Sequence, residues 1–174
     1  MRRTWAVVLC VLSIWSAPLA RSSGAGAERV ALVIGNAGYR FAPLANPGND
    51  ARAMAGLLRD AGFRVDEQLD ATHASLKDAV RRFGDAIRDP RVGFGLFYYA
   101  GHAVQLEWRN YLIPVNAQVR SAEDIQRQTV DVSELLSYMD RASGRNFLVI
   151  LDACRDNPFG SQYRVAARGL SQFD

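Results

Sequence analysis

Two side chains in this sequence are equipped for covalent chemistry near neutral pH, the thiol of Cys154 and the imidazole of His102. A thiol attacks a carbonyl well only as thiolate. A nearby imidazole can take its proton and later hand it to a leaving amine. Alone, a cysteine reads as a small buried hydrophobe and a histidine as a structural side chain. Here each follows an apolar run. Val92–Ala100 (VGFGLFYYA) leads into Gly101-His102, and Asn146–Leu151 (NFLVIL) leads into Asp152-Ala153-Cys154. The histidine precedes the cysteine by 52 positions. Two carboxylates stand in similar places. Asp152 reads as a strand-end turn acid, and Asp50, in Asn49-Asp50-Ala51, as a helix cap.

Other candidates carry less. His73 follows Thr72 at a helix start and reads as a surface residue. Tyr98 and Tyr99 read as packing, and Arg155 and Asp156 as local ion pairs. No zinc spacing appears. Gly35-Asn36-Ala37-Gly38 lacks the later glycine and the lysine of a phosphate loop.

The elements that must position these groups follow from periodicity. Arg29–Asn36 (RVALVIGN) reads as a buried strand and Ala37–Asn49 as a loop. Asp50–Ala61 has helical apolar spacing, stopped by Gly62, and Phe63–Glu67 reads as a short strand. Thr72 caps a helix carrying Leu76, Val80, Phe83 and Ile87, ended by Pro90. Val92–Ala100 gives the strongest strand signal, and Asn110–Val115 a short extended piece. Asp131–Ala142 reads as a helix and Asn146–Leu151 as a last buried strand. Alternating apolar strands and helices predict an α/β fold, a parallel sheet with helices on both faces. Ligands of such sheets bind beyond the carboxyl ends of the strands, where the acid, the histidine and the acid-thiol pair are expected.

Phe97-Tyr98-Tyr99-Ala100-Gly101-His102-Ala103 resembles the histidine motif of the caspase superfamily, and Leu148–Asn157 (LVILDACRDN) resembles its cysteine motif. Caspases place the histidine about 50 residues before the cysteine. The opening RVALVIGNAGY and the NDA at 49–51 resemble the bacterial metacaspase and paracaspase-like branch. The resemblance spans roughly residues 28–170. It implies a three-layer α/β/α caspase-hemoglobinase fold with a mainly parallel sheet. It implies a cysteine endopeptidase with Cys154 as nucleophile and His102 as general base and acid. The oxyanion would sit on the backbone N–H groups of Cys154 and Ala103, the latter usually glycine in the family.

Caspases that cut after aspartate carry Gln two residues before the cysteine. Asp152 stands there in this chain, and an acid beside the nucleophile attracts Arg or Lys rather than Asp. Asp50 matches the second pocket acid of metacaspases. The resemblance implies peptide substrates with Arg or Lys before the cut and no resident cofactor or metal. Calcium, which some metacaspases need, has no loop pattern here, Asp156 and Asp174 being scattered acids. A complete domain of this kind adds two strands after the cysteine segment. The chain therefore reads as the large-subunit portion, with a small-subunit partner or a homodimer as expected partners. A non-enzymatic caspase-like interaction scaffold or inactive fragment is the competing reading.

Composition bounds the rest. The chain has 174 residues, 49% hydrophobic and 22% charged, which excludes disordered, collagen-like and coiled-coil classes. The net charge of +3 resides in Arg2, Arg3 and Arg21, so the remainder is balanced and nucleic acid is not an expected partner. Residues 1–27 read as a secretory signal: Met1-Arg2-Arg3, an apolar stretch from Thr4 to Ala20, then Ala25-Gly26-Ala27. An uncleaved anchor is the alternative, although the stretch is short for a span. Cleavage removes Cys10 and leaves a catalytic domain, 28–174, with one thiol and no internal disulfide. The expected location is periplasmic or secreted, in a bacterium, without a stable membrane span.

Overall fold

The computed structural model describes residues 27–154, with Cys154 described by its backbone alone. The expected signal segment, Arg155 and the acids Asp156 and Asp174 lie outside the described residues, as does the stretch on which the expected lack of the last two strands would be judged. Ten elements follow in order: β1 (Glu28–Gly35), α1 (Pro47–Asp60), β2 (Arg64–Leu69), α2 (His73–Ile87), β3 (Val92–Leu106), β4 (Arg109–Leu112), α3 (Ala122–Gln128), β5 (Val130–Asp131), α4 (Val132–Arg141) and β6 (Asn146–Cys154).

β2, β1, β3 and β6 lie side by side and parallel. β4 and β5 add an antiparallel extension, so the sheet is mainly parallel rather than wholly so. Alternation along the strands sorts the core into two layers. Ala31 and Val33 of β1 with Leu96, Tyr98 and Ala100 of β3 pack under Ala51, Ala55 and Leu58 of α1. Val30, Leu32, Ile34, Phe97 and Tyr99 pack on the opposite face, under α2 and α4. Strands covered on both faces must be apolar throughout, which is why β1 and β3 read as continuous runs. Tyr39, Val104, Tyr111, Ile113, Val119 and Ile125 form a third cluster beneath the β3–β4 hairpin.

Caps set several boundaries. Thr72 accepts from the Ser75 N–H at the start of α2, as its sequence position predicts. Asp131 accepts from the Ser133 N–H at the start of α4. α1 begins earlier than expected, because Pro47 supplies a helix-ready φ in its first turn. Its N-cap is Asn46, so Asp50 does not cap the helix; it lies in the first turn, exposed, where a negative charge suits the helix dipole. α1 can approach β1 closely because Gly35 has no side chain: a Cβ there would lie 2.4 Å from the Pro47 carbonyl oxygen and 2.6 Å from the Ala51 Cβ.

β3 is the longest strand, at 15 residues, and continues six residues past the expected end at Ala100. His102 therefore lies inside a strand rather than just beyond one. β1 flanks β3 as far as Ala100; past that point the antiparallel β4 pairs with it, from Ala103 opposite Leu112 to Leu106 opposite Arg109. β6 likewise continues to Cys154, so Asp152 and the cysteine belong to the strand itself.

Candidate active site

The β3–β6 ladder sets His102 directly opposite Cys154. Adjacent strands are spaced about 4.8 Å apart, so two residues 52 positions apart in the chain become neighbours through pairing alone.

His102 is 4% exposed. Its Nε2 lies 2.8 Å from the carbonyl oxygen of Ala42 in the β1–α1 loop. A carbonyl only accepts, so Nε2 carries the ring proton and Nδ1 of the neutral ring carries the lone pair. The ring also packs against Tyr39, with centroids 4.5 Å apart.

The loop that carries Ala42 and Tyr39 is itself held by polar groups at the strand ends. Asn36, fully buried, accepts from the Ala71 N–H at 2.8 Å and donates to the Ile113 carbonyl at 3.2 Å. Asp70 accepts from the N–H groups of Ala37 and Gly38, each at 2.8 Å. Two phenols meet beside His102. Its N–H donates to Tyr39 Oη at 2.9 Å, and Tyr99 Oη donates to its carbonyl at 2.6 Å. Burial pushes the Tyr39 phenol up to about 12 and the Tyr99 phenol well above its ordinary value, so both stay protonated at neutral pH.

Gly101 lets these hydroxyls approach. Its φ is +156°, and a Cβ would lie 2.6 Å from Tyr39 Oη and 2.9 Å from Tyr99 Oη. Gly101→Ala is expected to lose about 1–3 kcal/mol of stability through overpacking, measured by urea unfolding.

Ala103, where the resemblance places an oxyanion donor, meets its backbone requirement. Among the described residues the non-glycine positions with positive φ are Asp70, Glu107 and Trp108, so alanine at 103 is unstrained. Ile113 N–H donates to the His102 carbonyl at 3.0 Å, which makes Ala103 and Leu112 the next, non-hydrogen-bonded pair of the antiparallel ladder. The Ala103 N–H therefore points away from β4, toward the edge of β3 that β6 occupies.

The two candidate pocket acids share one neighbourhood. Asp152 pairs in register with Ala100, on the α1 face of the sheet, and is exposed. Asp50 is exposed on the first turn of α1, over that face. Tyr98, 5% exposed, feels both: burial raises its phenol most, and the charges of Asp152 and Asp50 raise it further. His73 has its N–H bonded to Asn116 and belongs to the start of α2.

The residues that sequence reasoning did not single out are Asn36, Tyr39, Ala42 and Asp70; Tyr99, read from the sequence as packing, is buried but also places its hydroxyl on the His102 carbonyl. Asn36 carries a visible signal: a polar residue closing an apolar strand is buried and must be hydrogen-bonded. Ala42 acts through its carbonyl, which no residue type announces.

The caspase domain family profile matches residues 28–170. The chain belongs to the caspase domain family. Within the family it is similar to human mucosa-associated lymphoid tissue lymphoma translocation protein 1, 34% identical over 130 residues, or 74% of this chain and 15% of that protein. The mouse homolog is 33% identical over the same share of each chain. The chain thus spans about 15% of the length of the curated relatives it matches. Among solved structures it is similar to protein GSU0716 from Geobacter sulfurreducens, with a TM-score of 0.55, 20% identity, and coverage of 73% of this chain and 50% of that one. That likeness supports the caspase-like α/β fold. Family membership supports a cysteine peptidase-like domain.

Proposed function

We propose that this caspase-family domain is a cysteine endopeptidase that cuts after Arg or Lys through a Cys154–His102 dyad. The observation that carries the proposal is the register of His102 opposite Cys154, with Nε2 of His102 engaged by Ala42. That contact leaves Nδ1 as the basic nitrogen of the ring. In acylation Nδ1 takes the thiol proton, Sγ bonds to the substrate carbonyl carbon, and the oxyanion is held by the N–H groups of Ala103 and Cys154. The imidazolium returns its proton to the leaving amine as the peptide bond breaks, giving a thioester. Water, deprotonated by the same nitrogen, then hydrolyses the thioester, and the proton is returned to the thiol. Asp152 and Asp50 would receive the guanidinium or ammonium of the substrate beside Tyr98. No step uses a cofactor. Localisation outside the cytoplasm accompanies this reading.

The test is cleavage of fluorogenic peptides ending in Arg, Lys or Asp by the purified chain, with calcium or chelator as separate arms. Cleavage after Arg and Lys is expected, with rates after Asp lower by about 100-fold or more for a charge-reversed substrate. Preference for Asp would overturn the pocket assignment. A folded chain that cuts none of the peptides would favour the scaffold reading.

A further inference from the structure

Tyr39 interrupts the β3–β4 ladder at the residue that matters most. In a regular antiparallel pair His102 and Ile113 would exchange two backbone hydrogen bonds. Only one forms, from Ile113 N–H to the His102 carbonyl. The His102 N–H goes instead to Tyr39 Oη, and Tyr39 Oη lies 3.1 Å from the Ile113 carbonyl, so a phenol bridges the missing bond.

One proton assignment satisfies every group. Tyr99 donates its single proton to the His102 carbonyl, its shortest contact at 2.6 Å. Tyr39 accepts from His102 N–H and donates to the Ile113 carbonyl. The Ile113 carbonyl then receives Tyr39 and Asn36, and the His102 carbonyl receives Tyr99 and the Ile113 N–H, two donors for two lone pairs each. The hydroxyls of Tyr39 and Tyr99 are 3.2 Å apart, with Gly101 beneath them. Both backbone groups of His102 are thus held by side chains, and its ring is held by the Ala42 carbonyl and the Tyr39 ring.

We propose that Tyr39 and Tyr99 are positioning residues, a phenol pair that fixes the backbone of His102 so that its ring presents Nδ1 toward the cysteine strand. This rests on the dyad reading above. A ladder bond alone would hold the strand; the bridge additionally ties the strand to the β1–α1 loop, whose Ala42 sets the ring tautomer. Loss of the Tyr39 hydroxyl takes the partner from the buried His102 N–H, and loss of the Tyr99 hydroxyl leaves the His102 carbonyl with the Ile113 N–H alone; either loosens the ring.

The experiment compares Tyr39→Phe and Tyr99→Phe with Tyr111→Phe in the full chain. Tyr111, 5% exposed, lies in the cluster of Tyr39 and is buried to a similar degree, so removing its hydroxyl controls for a merely structural loss. Steady-state kinetics on an Arg-ending peptide, thermal melting, and the ¹⁵N spectrum of the His102 ring, assigned through His102→Gln, are read on each. For Tyr39→Phe and Tyr99→Phe a fall in kcat of about 10- to 100-fold is expected, the scale of an ångström-level misplacement, with KM within about twofold. The wild-type ring spectrum should show one tautomer, protonated at Nε2, and these two variants should show a mixture. Tyr111→Phe should match wild type in kcat and in the ring spectrum. Folded Tyr39→Phe and Tyr99→Phe proteins with wild-type kcat and a single Nε2–H tautomer would overturn the proposal, as would an equal loss in Tyr111→Phe. If wild type cleaves no peptide, the dyad reading fails on its own and the ring spectra still decide: a mixed tautomer supports the phenol pair, an unchanged one overturns it.

Discussion

Replacing Cys154 by alanine is expected to lower kcat/KM for an Arg-ending peptide by on the order of 10⁴-fold or more, to the background of the buffer. The size follows from the chemistry, since without sulfur no thioester forms. His102→Gln, which keeps side-chain volume in a buried position, is expected to lose about 10³-fold or more, because the thiol then lacks its proton acceptor. The two changes together should cost little more than Cys154→Ala alone, since residues that act as one unit are not additive. Melting curves separate this from unfolding: Cys154→Ala should remain folded, whereas His102→Gln disturbs the Ala42 and Tyr39 contacts and should melt somewhat lower. Wild-type rates in either folded variant would remove the dyad.

The second large effect concerns selectivity. Asp152→Asn is expected to lower kcat/KM for Arg-ending peptides by about 10²-fold, the scale of losing one partner of a desolvated ion pair. The loss should fall mainly on KM, and cleavage of a peptide ending in a neutral residue should change little. Asp50→Asn should have the same sign and a smaller size, because Asp50 stands on the first turn of α1, one element removed from the cysteine strand. Parallel measurement of Arg, neutral and Asp substrates checks both. An equal fall on all three would mean that Asp152 supports the strand end rather than reads charge.

The layered α/β fold was legible because strands buried on both faces are apolar along their whole length, and β1 and most of β3 are such strands. β6 reads as a buried strand too, but its described residues are only half-buried or exposed, Leu148 at 44%. The caspase-like motifs were legible because they join such strands to a histidine and a cysteine. The ends of these strands were less so. Gly101 and the polar residues after it interrupt the apolar run of β3, yet pairing with β4 carries the strand on to Leu106. α3 went unread because its seven residues bury only Ile125, too little to leave a periodic stripe. β5, two residues long, has no pattern at all. Asp50 looked like a cap because Asn49-Asp50 precedes helical spacing, but Pro47 starts the helix earlier. The support of His102 was hidden for a different reason. It runs through backbone carbonyls of Ala42 and Ile113 and through two tyrosines, and a tyrosine in an apolar run is indistinguishable from core packing until its hydroxyl is placed.

The central claim is that Cys154 is a nucleophile addressed by a basic residue, and a covalent trap tests it most directly. The purified chain is incubated with Arg-ending and Asp-ending peptidyl acyloxymethyl ketones, digested, and mapped by mass spectrometry. The account predicts a thioether on Cys154 from the Arg-ending reagent, strongly reduced in His102→Gln and in Asp152→Asn. A folded chain that is not modified at Cys154, or is modified equally well by the Asp-ending reagent, would contradict it.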